Sequence, residues 1–321
     1  MHTGLKMAGY ALGLAAIFGT AVGIGAAVGP DATVAEAVAG SHSADVEPAA
    51  DAMTKTAMAA ESELPGGLMV SQDGFTLALA DRSIPAGSGA PVRFQILGPD
   101  GTPVIGYETK HDKDLHLIVV RRDLTGFQHV HPILAQDGTW SALVDLSAPG
   151  EYRVFADFTA DGHDGGVTLG ADLAVSGVYD PRPLPAPVAT ADAGDGYQVT
   201  MAGQLVAGQN AELTLDINKD GAAVTDLQPY LAAYGHLVAL RAGDLAYLHV
   251  HPAGEPGDGV TPAGPGITFY ATAPSAGDYR LYLNFQHNGV VRTAEFTLPA
   301  TLGAPATTVA PVEPETDGHG H

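Results

Sequence analysis

The sequence predicts an all-β chain: two tandem immunoglobulin-like (Greek-key) β-sandwich modules behind an N-terminal transmembrane helix or signal segment. Three observations carry that expectation. The stretch at residues 115–132, LHLIVVRRDLTGFQHVHP, returns 120 residues later at 235–252 as GHLVALRAGDLAYLHVHP. Around each copy lie short β-rich runs separated by turn signals such as Asp100-Gly101, Asp137-Gly138 and Asp220-Gly221, the pattern of strands and tight turns rather than of helices. Between the copies, YDPRPLPAPVATADAG packs four prolines into a short span, which disfavours helix and central strand alike and marks a semi-stiff linker.

The elements follow in order. Lys6 precedes an uncharged apolar run of 23 residues at 7–29, long enough to cross a bilayer as a helix and longer than the core of a signal peptide. With Asp31 and Glu36 behind it, the positive-inside rule places the bulk of the chain outside the membrane. A retained anchor over residues 1–30 is therefore expected, giving an extracytoplasmic, cell-membrane-anchored protein. The alternative is a secreted protein, cleaved at the Ala-x-Ala of residues 35–37.

Residues 31–65, rich in Ala, Glu, Asp and Ser, read as a disordered tether. The first module is expected over 66–178, the linker over 179–193 and the second module over 194–299. Seven or eight strands in roughly 110 residues suit an immunoglobulin-type sandwich. GEYRVFADF at 150–158 matches GDYRLYLNF at 277–285, and a Tyr opening a late strand in each copy, Tyr152 and Tyr279, resembles the tyrosine corner of such sandwiches. Residues 300–321, ending in His319 and His321, read as a disordered tail.

Composition narrows the function classes. Fourteen Lys and Arg against 36 Asp and Glu give a net charge of −22, a field that repels nucleic acid and attracts cations. Zero cysteines exclude disulfides, thiolate metal sites and a Cys nucleophile. No Gly-x-Ser-x-Gly elbow, phosphate loop or His-Glu-x-x-His motif occurs, so the expectation is a non-enzymatic protein.

The repeated stretch carries the candidate site. Both copies contain His-x12-His-x-His-Pro: His116, His129, His131 and Pro132, then His236, His249, His251 and Pro252. Residues two apart on a strand share a face, which pairs His129 with His131 and His249 with His251. A two-residue II′ turn at Gly243-Asp244 would set Val238 opposite His249 and His236 opposite His251, since directly opposed residues also share a face. Any even-length connection at residues 123–126 keeps His116 on the face of His129 and His131.

Each module is thus expected to gather three imidazoles, with His287 or His163, and Asp157 beside the latter, as loosely matched further ligands. His111 is an extra feature of the first copy. Without sulfur ligands, such a set suits a divalent ion, Cu(II) ahead of Zn by intrinsic affinity. The competing expectation is a structural or protein-interaction tandem sandwich, whose histidines are hydrogen-bonded residues copied by duplication and whose protein partner is unidentified.

The segments KDLHLIVVRRDLTGFQHVHP and PYLAAYGHLVALRAGDLAYLHVHP, with PGEYRVFADF and AGDYRLYLNFQHNG after them, resemble bacterial extracytoplasmic proteins described as heavy-metal-associated, and small copper-handling β-sandwich proteins. The resemblance implies an exported or anchored sandwich that handles copper or another metal. It departs from better-understood copper carriers in lacking their Cys and Met ligand sets.

Overall fold

The structure, a computed structural model, describes residues 64–248 and 250–303, with only the backbone of His251. The apolar N-terminal run, most of the tether, the tail and His249 lie outside the described residues. Among the described residues every regular element is a β-strand, and no helix is long and apolar enough to cross a membrane.

The first module contains β1 (Ser71–Gln72), β2 (Phe75–Leu79), β3 (Ser83–Pro85), β4 (Gly87–Leu97), β5 (Leu115–Arg121), β6 (Gln128–Val130), β7 (Ile133–Leu134), β8 (Thr139–Leu146), β9 (Gly150–Phe158) and β10 (Val167–Ser176). They form two sheets, ordered β1-β2-β4-β8-β7 and β3-β10-β9-β5-β6. The chain changes sheet between β6 and β7, as it must in a Greek-key sandwich of immunoglobulin type.

The second module repeats this plan with β11 (Thr190–Asp192), β12 (Tyr197–Ala202), β13 (Leu205–Val206), β14 (Asn210–Lys219), β15 (Ala222–Ala223), β16 (Gly235–Arg241), β17 (Tyr247–Leu248), β18 (Val250–Pro252), β19 (Gly266–Thr272), β20 (Gly277–His287) and β21 (Val290–Thr301). Its sheets run β11-β12-β14-β19-β18, with β15 on β14, and β13-β21-β20-β16-β17.

Both tyrosine corners are present. Tyr152 donates its hydroxyl hydrogen to the Ala148 carbonyl at 2.8 Å, and Tyr279 does the same to Ser275 at 2.9 Å. Each module has its own core, built from alternate residues such as Leu115, Leu117 and Val119 in one and Leu237, Ala239 and Leu281 in the other.

A third core lies between the modules. Ile118, Val120, Leu124 and Phe155 of the first pack with Val238, Leu240, Leu245 and Tyr282 of the second, all buried. The two sheets that carry the repeated histidines therefore face one another. Consequently every residue of β5 is buried: odd positions face the home sandwich, even positions the neighbour.

Polar contacts fix the docking. Tyr282 stacks on Phe127 with ring centroids 3.9 Å apart and donates to the Leu124 carbonyl at 2.6 Å. The segment just before β1 is clamped between the modules, with Tyr247 N–H donating to Gly66 O at 2.9 Å and Gly67 N–H to Thr168 O at 2.8 Å. A side chain at Gly67 would run into the Phe155 ring.

The hairpin tips differ from expectation in one respect. The register is the predicted one, with Ala239 opposite Leu248 and Leu240 opposite Tyr247, but the turn is not type II′ at Gly243-Asp244. The left-handed residue is Leu245 (φ 63°), as Leu124 (φ 66°) is in the first module. Both leucines are buried in the inter-module core, and that burial offsets a conformation that non-glycine residues rarely adopt. Asp244 accepts the Ala246 N–H and pairs with Arg241, while Asp123 accepts the Thr125 N–H and pairs with Arg121.

Candidate metal centre

The register of β5 decides the site. Ile118 lies opposite His129 on β6, so His116, His129 and His131 share the face turned toward the second module. Their nitrogens come within 4.8 Å of one another, and the ring centroids are 5.3 Å (His116 to His129), 5.2 Å (His116 to His131) and 5.0 Å (His129 to His131) apart. Imidazoles sharing one ion through bonds of about 2.0–2.1 Å bring their centroids to roughly this separation.

Hydrogen bonds tether two of the rings. His116 Nε2 lies 3.1 Å from the Lys110 carbonyl, which accepts its hydrogen and leaves Nδ1 a lone pair. His129 Nδ1 lies 3.3 Å from Asn284 Oδ1. The Asn284 amide, whose Nδ2 lies 2.8 Å from Thr293 Oγ1, takes the Nδ1 hydrogen in the tautomer that leaves His129 Nε2 a lone pair. His116 Nδ1 and His129 Nε2 face each other at 3.0 Å. His131 Nε2 is buried with no hydrogen-bond partner. Three donor atoms thus converge, which is the fit a cation requires.

The second module contributes His236. It sits at the position of His116 in its own sheet and repeats that residue's tethering, with Nε2 donating to the carbonyls of Tyr230 (2.8 Å) and Leu231 (3.1 Å). Its ring centroid is 6.1 Å from His129 and 6.5 Å from His116. His111 stands 5.4 Å from His236 and 6.2 Å from His116. A cavity of about 260 Å³ opens beside the cluster, lined among others by Lys113, Asp157 and Tyr247.

Burial drives all four ring pKa values down. For His129 it acts first, reinforced by the neighbouring imidazoles, and the ring falls well below 6.5. Burial brings His131 and His236 to about 4, and lowers His116 against the opposing pull of the Lys110 carbonyl and Asp157. The rings are therefore neutral at pH 7, the form that ligates metal.

The remaining predicted ligands are placed elsewhere or lie outside what is described. His287 is buried beside Tyr197, whose hydroxyl is 2.7 Å from its Nδ1, while Nε2 is 3.0 Å from Asp226. Both its nitrogens are occupied, so it is a hydrogen-bonded core residue and no part of the cluster. His163 packs edge-on against Phe75 at 5.1 Å. Asp157 lies opposite His116 on β9 and accepts from Thr168 at 3.1 Å.

The expected pairing of His236 with His251 does not form. By Val250 the chain has crossed to the other sheet of that module, where His251 lies opposite Tyr270. The two equivalent trios are thus replaced, among the described residues, by one cluster at the interface. Asn284 and the carbonyls of Lys110 and Tyr230 escaped the sequence reading. A signal for the shared face was there: LHLIVV is a continuous apolar run with one histidine, which means burial on both faces.

Fold and site together define a tandem immunoglobulin-like sandwich protein with a half-buried histidine cluster between its modules. The chain belongs to the family described as Domain of unknown function (DUF8832), which matches it twice, at residues 70–172 and 190–301. That family description names no metal, so the likeness to heavy-metal-associated proteins rests on the quoted segments alone. No curated protein matches the chain.

Among solved structures, it is similar to the Escherichia coli adhesin FdeC (15% identity, TM-score 0.24, 73% of this chain and 65% of that one). It is also similar to the Yersinia pseudotuberculosis adhesin InvE (16%, 0.23, 71% and 59%) and to invasin, a bacterial integrin-binding protein (14%, 0.21, 73% and 41%). The chain spans less than two thirds of each of these chains, and similarity this low says nothing about what it binds.

Proposed function

We propose that this protein is an extracytoplasmic, membrane-anchored metal-binding protein that holds one divalent transition-metal ion on His116, His129 and His131, for sequestration or delivery rather than catalysis. One observation carries the reading: His116, His129 and His131 bring one nitrogen each within 4.8 Å of one another, with His116 Nδ1 and His129 Nε2 only 3.0 Å apart. In the tautomer that gives the His129 Nδ1 hydrogen to Asn284, both nitrogens are acceptors and a cation between them relieves the contact. The all-imidazole donor set suits Cu(II), then Zn(II), and the chain's net charge of −22 concentrates cations. The anchor reading rests on the apolar run at residues 7–29.

Calorimetric titration of the wild type and of His129→Ala with Cu(II) and Zn(II) tests this. Tight binding by the wild type and its loss in the variant is expected; equal affinities would remove these histidines from any metal role. A second reading, a surface or protein-interaction sandwich, draws on the same 3.0 Å contact: a change of tautomer in either ring turns it into an ordinary hydrogen bond. A wild type that binds neither ion favours that reading.

A further inference from the structure

The ligand trio belongs to the first module, yet its surroundings belong to the second. Asn284 on β20 lies 3.3 Å from His129 Nδ1 across the interface. Tyr230 packs on both His131 (6.3 Å) and His236 (5.9 Å). His236 is tethered through Nε2 as His116 is, so its Nδ1 is likewise a lone pair, with its ring 6.1 Å from His129. Moreover His236 and His116 are equivalent residues on facing sheets, each opposite a polar partner on the next strand, Asn284 and Asp157 respectively. The interface thus brings a fourth imidazole to the open side of a three-imidazole cluster.

We infer that His236 is the fourth ligand and that the bound ion cross-links the two sandwich modules, so that metal loading fixes their relative orientation. This rests on the metal reading above and goes beyond it: a site complete within the first module would leave the docking untouched. The outer partner Asn284 then matters as the orienting residues of metal-bound histidines generally do, where loss costs about 10–100-fold in affinity.

The test uses the full chain and the metal ions alone. His236→Gln keeps an N–H to donate to the Tyr230 carbonyl but has no ring nitrogen to offer. Zn(II) affinity is read by competition with a chelating dye, and the number of imidazoles on Cu(II) by pulsed EPR, for the wild type, His236→Gln and Asn284→Leu. Expected are four imidazoles in the wild type, three in His236→Gln, and at least about tenfold weaker binding in both variants. Wild-type affinity and imidazole count in His236→Gln would overturn the cross-link and leave the three-histidine site standing. A wild type that binds neither ion would instead remove the metal reading itself.

Because the chain has no cysteine, Ser141→Cys and Gln198→Cys, both exposed and on different modules, can carry spin labels on an otherwise unchanged background. Zn(II) is expected to narrow their distance distribution with His236 present and to leave it unchanged in His236→Gln. A distribution that zinc leaves unaltered with His236 present, or narrows equally in both, also overturns the cross-link.

Discussion

The two modules carry the same His-x12-His-x-His-Pro spacing, yet they use it differently. In the first, β6 stays in the sheet of β5 through Val130, holding His129 and His131 beside His116. In the second, Leu248 still pairs with Ala239, but Val250 pairs with Ala271 in the opposite sheet. The residues flanking the site have diverged as well: Asp157 against Asn284, His111 against Leu231, Phe155 against Tyr282. Among the described residues the first copy gathers the cluster, and the second places His236 and Asn284 beside it.

The hairpin tips sharpen the comparison most. Arg121 and Asp123 form a bidentate pair with side chains only 6% and 5% exposed, whereas Arg241 and Asp244 are 20% and 41% exposed. Burial works against the Asp123 carboxylate, but the bonds from Arg121, Arg182 N–H and Thr125 outweigh it and hold the group at about 2. Breaking a buried pair leaves an uncompensated charge, so Arg121→Ala should cost about 3–5 kcal/mol in denaturant unfolding. Arg241→Ala should cost about 1 kcal/mol or less. Equal losses would dissolve the distinction between the tips.

Next comes the inter-module core. Tyr282→Phe keeps the stack on Phe127 but strands the buried Leu124 carbonyl, at an expected cost of about 1–3 kcal/mol. An unchanged unfolding midpoint would show that this bond contributes nothing to docking.

The pH response follows from the lowered imidazole values. His129, His131 and His236 have folded-state values below the 6.5 of the unfolded chain, the last two near 4. The unfolded state therefore binds more protons in that window. Stability of the metal-free protein should be full above about pH 6.5 and fall as pH drops toward 4. Replacing His131 and His236 by Gln should flatten the thermal-melting profile over that range, and an identical acid profile would deny that these rings are buried neutral.

The smallest difference is expected at the tyrosine corners, where the modules agree. Tyr152→Phe and Tyr279→Phe should each cost about 0.5–1.5 kcal/mol, and by similar amounts.

Much of the fold was legible because it is local. Asp-Gly turns, the alternation in TWSALVDL and the Tyr-opened strands each report on a few neighbouring residues, and the hairpin register followed from loop length alone. The His116, His129 and His131 cluster was legible for the same reason, since strand parity fixes which side chains share a face. What escaped was non-local. Where a strand changes sheet depends on the longer excursion at residues 253–265 before β19, and so the His236 and His251 pairing failed although the register near the turn held. Similarly, Leu245 adopts a left-handed conformation for the sake of a core formed with another module. His287 was misplaced because spacing cannot reveal that Tyr197 and Asp226 occupy both its nitrogens.

The central claim, one site shared between two modules, is tested most directly by counting. Native mass spectrometry of the full chain carrying His319→Ala and His321→Ala, titrated with Zn(II) or Cu(II), reads the number of tightly bound ions. One ion per chain, lost on replacing His129 and weakened on replacing His236, is the result this account predicts. Two equivalent ions per chain, one surviving each module's histidine substitutions, would contradict it.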